Sequence, residues 1–355
     1  MSLKDIIDQA IGDHVLQKIT RCWYKVDWHG LSRNPLITWN VVQSNPDKPW
    51  SFNGLSFNHS VTLNDILNNL DKAWDWWELS KRNDLTWAFI VKNLDKEWNW
   101  FELSKNPNVT WNIIGSTLDK PWIWSGVSMN PNINWDIVQS NPDKQWSWIC
   151  LAYNPNITHD IILSNLDKLW EWSSVSLNSN ITWDTISSNP DKPWNWTSLS
   201  RNPNITWDII QSHSYLPWCW YGLSSNPNIT WNNIINNLDK PWDWYILSRN
   251  SSITWDIVQS NFDKPWNWMG MSRNPNVTWD IVMSHLDKSW DWNYLFSRAD
   301  FLLSNEEKQR LFEECITRYT CVKKIQRAWR EAISNPSYKI CKRRLFREIN
   351  ELNKM

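Results

Sequence analysis

The chain is predicted to be an all-α solenoid, an array of short two-helix repeats with a helical cap at each end. Three observations predict it. The chain holds 34 Trp in 355 residues. Most of those Trp recur on a 24-residue lattice without insertion or deletion. Each lattice unit carries its own helix-start and helix-stop signals.

The lattice has three aromatic columns. One runs Trp39, Leu63, Trp87, Trp111, Trp135, His159 and on to Trp279. A second, Trp50 through Trp290, is Trp in all eleven units. A third runs Phe52, then Trp76 through Trp292, and Trp28 extends it one half-unit upstream. Together they hold thirty of the 34 Trp.

The first helix of each unit begins after Thr. That column, Thr38 through Thr278, is ten Thr and one Asn, Asn134. Thr and Asn side chains accept a hydrogen bond from a free N–H of the first turn. The preceding residue is apolar in every unit, and the fourth helical residue is always Ile or Val. That pairing forms a hydrophobic staple. In the unit Ile253–Asn276 it predicts a helix from Trp255 to Asn261.

The second start is read at Asp-Lys-Pro-Trp, as in Asp263-Lys264-Pro265-Trp266, with Asp as cap in ten units and Tyr215 as the exception. Pro is tolerated in a first helical turn because its missing N–H has no partner there anyway. A second helix or 3₁₀ turn then runs Trp266 to Ser272 and stops at Asn274-Pro275-Asn276. Helices this short are not stable alone. Stacking units against their neighbours buries the Trp, Ile and Leu columns. Eleven units spaced as packed helices predict a rod or superhelix on the order of 100 Å long.

The ends lie off the lattice. Residues 1–27 read as an N-terminal capping helix carrying Ile6, Ile7, Ala10, Ile11, Val15 and Leu16. Residues 28–298 are the solenoid, 299–320 a C-terminal capping helix, and 321–355 a basic tail. Ser304 and Glu307 form a capping box, followed at helical spacing by Leu311, Cys315, Tyr319, Val322, Trp329 and Ile333. A second amphipathic helix with Tyr338, Cys341, Leu345, Ile349 and Leu352 is expected beyond Asn335-Pro336.

The string S-x-N-P-N-I-T-W-D-I-I resembles the leucine-rich variant repeat, with Trp in place of its aliphatic residues. That resemblance implies a curved array of alternating α and 3₁₀ helices and no particular activity. Cys321 to Glu351 resembles the IQ-type basic tails found at the ends of many giant DNA virus proteins. Ile325, Gln326 and Arg330 match the opening of an IQ motif, whereas Glu331 stands where the motif usually has Gly. The likeness implies a viral source and a calmodulin-like partner for the tail.

Function is constrained mainly by exclusion. Formal net charge is −1, from 36 Lys plus Arg against 37 Asp plus Glu. A globally basic nucleic-acid binder is therefore excluded. Residues 301–355 carry a net charge of +6, so nucleic acid is expected to engage only the basic tail. The lysines of the Asp-Lys column each follow an Asp, so their charge cancels locally. The six cysteines form no CxxC pair, the histidines keep no metal spacing, and no phosphate-cradling Gly loop occurs. His213, Tyr215 and Cys219 fall in one irregular unit, read as drift. No enzyme, cofactor or metal is expected.

Apolar runs are too short for a membrane span, and neither signal peptide nor disulfide pattern is present. A reducing intracellular compartment is expected, host cytoplasm or virion for a viral chain. The expected function is a non-catalytic protein–protein interaction scaffold. Trp77, Phe101, Ile123, Tyr221 and Tyr245 are candidate partner contacts between the fixed columns. Trp23, also off the lattice, is expected to be exposed. In the tail the candidates are Lys323, Lys324, Ile325, Gln326, Arg330, Lys342, Arg343 and Arg344. The alternatives are a self-assembling virion or fibre component, or a tail that binds nucleic acid or a calmodulin-like protein.

If the invariant Trp are core, deleting one must leave a cavity. Trp194→Ala is expected to cost about 3–5 kcal/mol in a urea melt. An unchanged midpoint would place the ring in solvent.

Overall fold

Each repeat folds as two short α-helices joined by a tight turn and an extended step. A computed structural model describes residues 3–20 and 26–333. All regular structure among them is α-helical; neither strand nor 3₁₀ segment occurs there, so the 3₁₀ alternation implied by the repeat resemblance is corrected. The described residues divide into two compact units. One draws on 3–20, 36–48 and 302–333; the other comprises 27–35 and 49–301.

The first-series helices start where Thr predicts. Trp255–Ser260 follows Thr254, whose hydroxyl accepts from the Ile257 N–H. The second series starts later than expected. Its helices begin at the third aromatic column, as in Trp268–Met271, and the cap is the residue between the two Trp. Asp75, Asn99, Ser147, Asn195 and Asp243 all accept first-turn N–H groups from that position.

The Asp-Lys pairs instead sit in an exposed turn, where every Lys reaches back to its own Asp, as Lys264 does to Asp263 at 2.7 Å. The reason lies in the invariant Trp. Its indole N–H donates to the carbonyl five residues upstream, at the end of the first helix, as from Trp194 to Asn189 at 2.8 Å. That bond holds the Trp in an extended step between the helices, and the second helix must begin beyond it.

Two polar ladders join neighbouring repeats. The fully buried Ser56 donates to the Phe52 carbonyl of its own helix and accepts from the Asp75 N–H of the next repeat at 2.8 Å. The Asn of the Asn-Pro turn is also buried. Asn130 Nδ2 donates to the carbonyls of Ser104, Asn106 and Val109, all in the preceding repeat, at 2.9–3.0 Å. Arg82 replaces this Asn in one repeat. It is fully buried, donates to the Asn58 and Val61 carbonyls, and pairs with Asp84 at 2.6 Å. Arg298 and Asp300 repeat the same exchange.

The larger unit closes on itself. The first second-series helix, Trp28–Arg33, packs against Phe52–Phe57 on one side and against Trp292–Ser297 on the other. Asn34 Nδ2 donates to the carbonyls of Phe296 and Arg298, at 2.8 and 2.9 Å. Those are the lattice positions Ser32 and Asn34 supply to Asn58. The seam is therefore in register, and twelve second-series helices form a ring. The expected rod or superhelix is corrected to a closed ring.

Curvature follows from unequal spacing. Second-series helices pack closely, and where the third position is Gly they touch backbone to backbone: a Cβ on Gly126 would lie 2.6 Å from the Phe101 carbonyl oxygen. First-series helices are held apart by indoles, such as Trp111 against Trp146 at 5.9 Å. Close contact on one side and Trp wedges on the other turn each repeat by about 30°, one twelfth of a circle. The second series therefore forms the inner circle. At ordinary helix spacing of about 8–10 Å its diameter through the helix axes is about 30–40 Å.

The smaller unit brings the first and the last described helices together. The N-terminal helix Leu3–Thr20 packs on Asn305–Ile333 and on Trp39–Ser44. Val15, Leu16 and Ile19 are buried, as are Leu311 and Cys315. Lys18 reaches Glu307 at 3.0 Å, and Ser304 with Glu307 makes the expected capping box. Burial raises the Glu307 pKa, but the Ser304 N–H and Lys18 overcome it and hold the carboxyl below its usual range. Asn305–Ile333 runs without a break through residue 320.

Closure leaves a specific weak point. A Cβ at Gly30 would lie 2.1 Å from the Asn293 carbonyl oxygen, across the seam. Gly30→Leu is expected to open the ring, seen as a larger radius of gyration in small-angle scattering. Gly115→Leu, where a Cβ meets nothing within 4 Å, should leave the radius unchanged.

Candidate interaction surface

The inner helices pack their third, fourth and fifth positions into the ring wall. Their second and sixth positions, four residues apart, share the remaining face. Trp77, Phe101, Tyr221 and Tyr245 all occupy the second position, so four of the five sequence candidates form one stripe. Trp77 is 57% exposed and Tyr221 48%, while Phe101 is half-buried. Ile123 lies elsewhere, in the cap column, where it makes no side-chain cap bond.

Sequence reasoning missed the rest of the stripe. Ile149 and Met269 occupy the same second position, each 52% exposed. The sixth position is basic in half of the twelve helices: Arg33, Lys81, Lys105, Arg201, Arg249 and Arg273. These cations lie over the aromatics of the stripe. Arg33 stands 4.1 Å from the Phe57 ring centre, Lys105 5.2 Å from Phe101, Arg201 4.9 Å from Tyr221 and Arg249 5.6 Å from Tyr245. The signal was available as a second column, four residues beyond the first. It is chemically mixed and so does not stand out beside the Trp columns.

Charge along the stripe is partly cancelled. Lys81 and Lys105 pair with Glu78 and Glu102 on their own helices, and Arg273 with Asp291. Arg33, Arg201 and Arg249 have no acidic partner among the described residues. The ten lysines of the outer turns all pair with the preceding Asp at 2.7–2.9 Å. The Lys48 ammonium bonded to Asp47 holds that exposed carboxyl below its usual range, and the other turns repeat the effect. A continuous cationic track is absent from the described surface.

The irregular unit folds like the others. His213 takes the place of the usual Asn, its Nδ1 bonding the Ile209 carbonyl and its own carbonyl accepting from Trp218. Cys219 falls in the cap column without a cap bond. No group of three metal-ligating side chains forms among the described residues, and none of their helices is long and apolar enough to cross a membrane.

In the tail, Lys323, Lys324 and Gln326 are exposed on the helix Asn305–Ile333, with Ile325 half-buried. Val322, expected on the packed face, is 50% exposed. Among the described side chains of this helix, Cys315 is the last that is buried. Arg330 lies on the same helix. Trp23, Lys342, Arg343, Arg344 and the helix expected after residue 336 lie outside the described residues.

Fold and surface together define a class: a ring of short helical repeats with a fixed wall and a variable inner stripe. No protein-family model, curated protein or solved structure matches the chain.

The cap column gives a direct check on the local reading. Ser147 caps its helix from the position Cys219 occupies. Cys219→Ser is nearly isosteric and adds that acceptor. It is expected to raise stability by about 0.5–1 kcal/mol in thermal or urea unfolding. A loss instead would mean that the thiol packs in a way the hydroxyl cannot.

Proposed function

We propose that the chain is a non-catalytic protein–protein interaction scaffold whose partner lies along the inner stripe. The carrying observation is the contrast between wall and stripe. The wall repeats the same Trp, Ser and Asn chemistry from unit to unit, whereas the stripe changes at every unit and exposes Trp77, Ile149, Tyr221 and Met269. Exposed aromatic and Met side chains beside Arg are the composition of interaction hot spots. The paired outer lysines and the three unpaired inner arginines argue against a polyanion wound on the ring, which needs many uncompensated cations.

A second reading, lateral self-assembly, is supported by the exposed apolar residues of the outer turns. Leu70, Leu94, Leu118, Leu166, Leu238 and Phe262 recur there, each 38–51% exposed. The exposed basic segment Lys323–Lys324 keeps a tail-borne partner as the third.

Affinity purification from the native cell separates the three. The full chain is expected to retain a distinct protein that Trp77→Ala with Tyr221→Ala loses and that deletion of 321–355 keeps. Recovery of nothing but the chain itself would favour self-assembly. A partner lost only with the tail would overturn the stripe as its site.

A further inference from the structure

The inner stripe is not uniform. On three consecutive second-series helices, Trp196–Arg201, Trp220–Ser224 and Trp244–Arg249, a cleft of about 420 Å³ opens. Arg201 lines one side and Arg249 the other; Tyr221, Ser225 and Ser251 lie between and beside them. No acidic side chain lines the cleft.

Three features of its chemistry converge. Arg201 and Arg249 come from repeats two apart, and neither has an acidic partner. Each guanidinium lies over a Tyr ring, which covers one face and leaves the N–H edges to bond in plane. The Arg201 Nε is buried and bonded to nothing. A buried guanidinium N–H without an acceptor is costly, so Arg201 is not held in place by a protein acceptor at that nitrogen. The Ser251 hydroxyl adds a neutral donor, whereas the Ser225 proton is already given to the Gly222 carbonyl.

Two uncompensated cations facing one cleft match a dianion better than a carboxylate. A phosphomonoester carries about −1.5 to −2 charges at pH 7 and offers three acceptor oxygens. Arg pairs bind it in bidentate fashion. The cleft falls in the size range of small-ligand sites, and being open it admits a side chain on a continuing peptide. We propose that the cleft between Arg201 and Arg249 binds a phosphorylated side chain of a peptide segment. The proposal rests on the scaffold reading above and names the group by which a partner is held.

The test uses the full chain and immobilised degenerate peptide libraries with a central phosphoserine, phosphotyrosine, glutamate or unmodified serine. At least one phosphorylated library is expected to be retained at least tenfold over the glutamate and serine libraries, and to be displaced by millimolar inorganic phosphate. Which phosphorylated library wins identifies the source. Arg201→Ala with Arg249→Ala should abolish retention. Arg201→Lys with Arg249→Lys should reduce it severalfold while keeping the charge. Arg33→Ala, at the equivalent position over Phe57 and outside the cleft, should change nothing. Far-UV circular dichroism and gel filtration establish that the variants fold. Equal retention of the glutamate library, retention that survives the double Ala change, or no retention of any library would overturn the proposal. A partner lost with Trp77 and Tyr221 but indifferent to both arginines and to phosphatase would leave the scaffold reading standing and remove only this site.

Discussion

The structure depends on a buried carboxamide. In each regular repeat the Asn before the turn Pro sits in the wall, and its amino group bonds carbonyls of the repeat before it, as Asn202 does at 3.0 and 3.1 Å. Those carbonyls lie at helix C-termini, where intrahelical partners run out. Leaving such groups buried and unpaired would cost about 1–3 kcal/mol each. The Asn therefore satisfies the end of one helix from the start of the next repeat, which fixes both spacing and rotation. Only a donor of comparable reach can replace it. The two exchanges found, Arg82 with Asp84 and Arg298 with Asp300, both supply a long donor together with a counter-charge.

This ladder also accounts for closure. An open array leaves one face bare at each end, and caps normally cover both. Here the Asn34 amide finds, at Phe296 and Arg298, the carbonyls that a preceding repeat would have offered. The seam is thus one more copy of the same joint. The side chain at position 296 is Phe where the wall usually has Ser, yet the joint holds because the Asn reads backbone and not side chain. A backbone-read joint also frees the exposed positions to change, and this is the physical basis of a constant wall with a variable stripe.

Much of this was legible in the sequence, and the failures have physical causes. The Trp period, the Thr caps and the Ile/Val staple are single-chemistry columns that fix the first-series helices. The second helix start was misplaced because Asp-Lys-Pro imitates an N-terminus, while the true cap column mixes Asp27, Ser51, Asn99 and Glu171 with Ile123 and Cys219. Several acceptor types do the same work, so the column has no single letter. Closure was illegible for a different reason. It rests on a rotation of about 30° per repeat, the small difference between a Gly-permitted backbone approach and an indole wedge. Composition gives the sign of that difference but not its size. Of the candidate site, the aromatic positions were found because they break the lattice. The arginines were not, because each looks ordinary until the fold lays it over a Tyr, Arg201 over Tyr221 of the next repeat and Arg249 over Tyr245 of its own helix.

That juxtaposition bears on what a partner would read. A Tyr alone on the inner face offers area without direction. An Arg laid over it offers direction, since its donors project from the edge of a plane the ring has fixed. Arg273 makes the same stack on Tyr294 but is also tied to Asp291 at 3.1 Å. Arg201 and Arg249 have the stack without the tie. Neighbouring repeats thus carry the same cation–aromatic device in a neutralised and an uncompensated form. Around Arg201 the cap, Ser and Asn joints are the ordinary ones, and Ser248 beside Arg249 keeps its two bonds, whereas Asn250 accepts from the Ser252 N–H and lines the cleft. Two guanidiniums without acidic partners thus line one cleft, and a ligand carrying negative charge is the chemistry that would complement them.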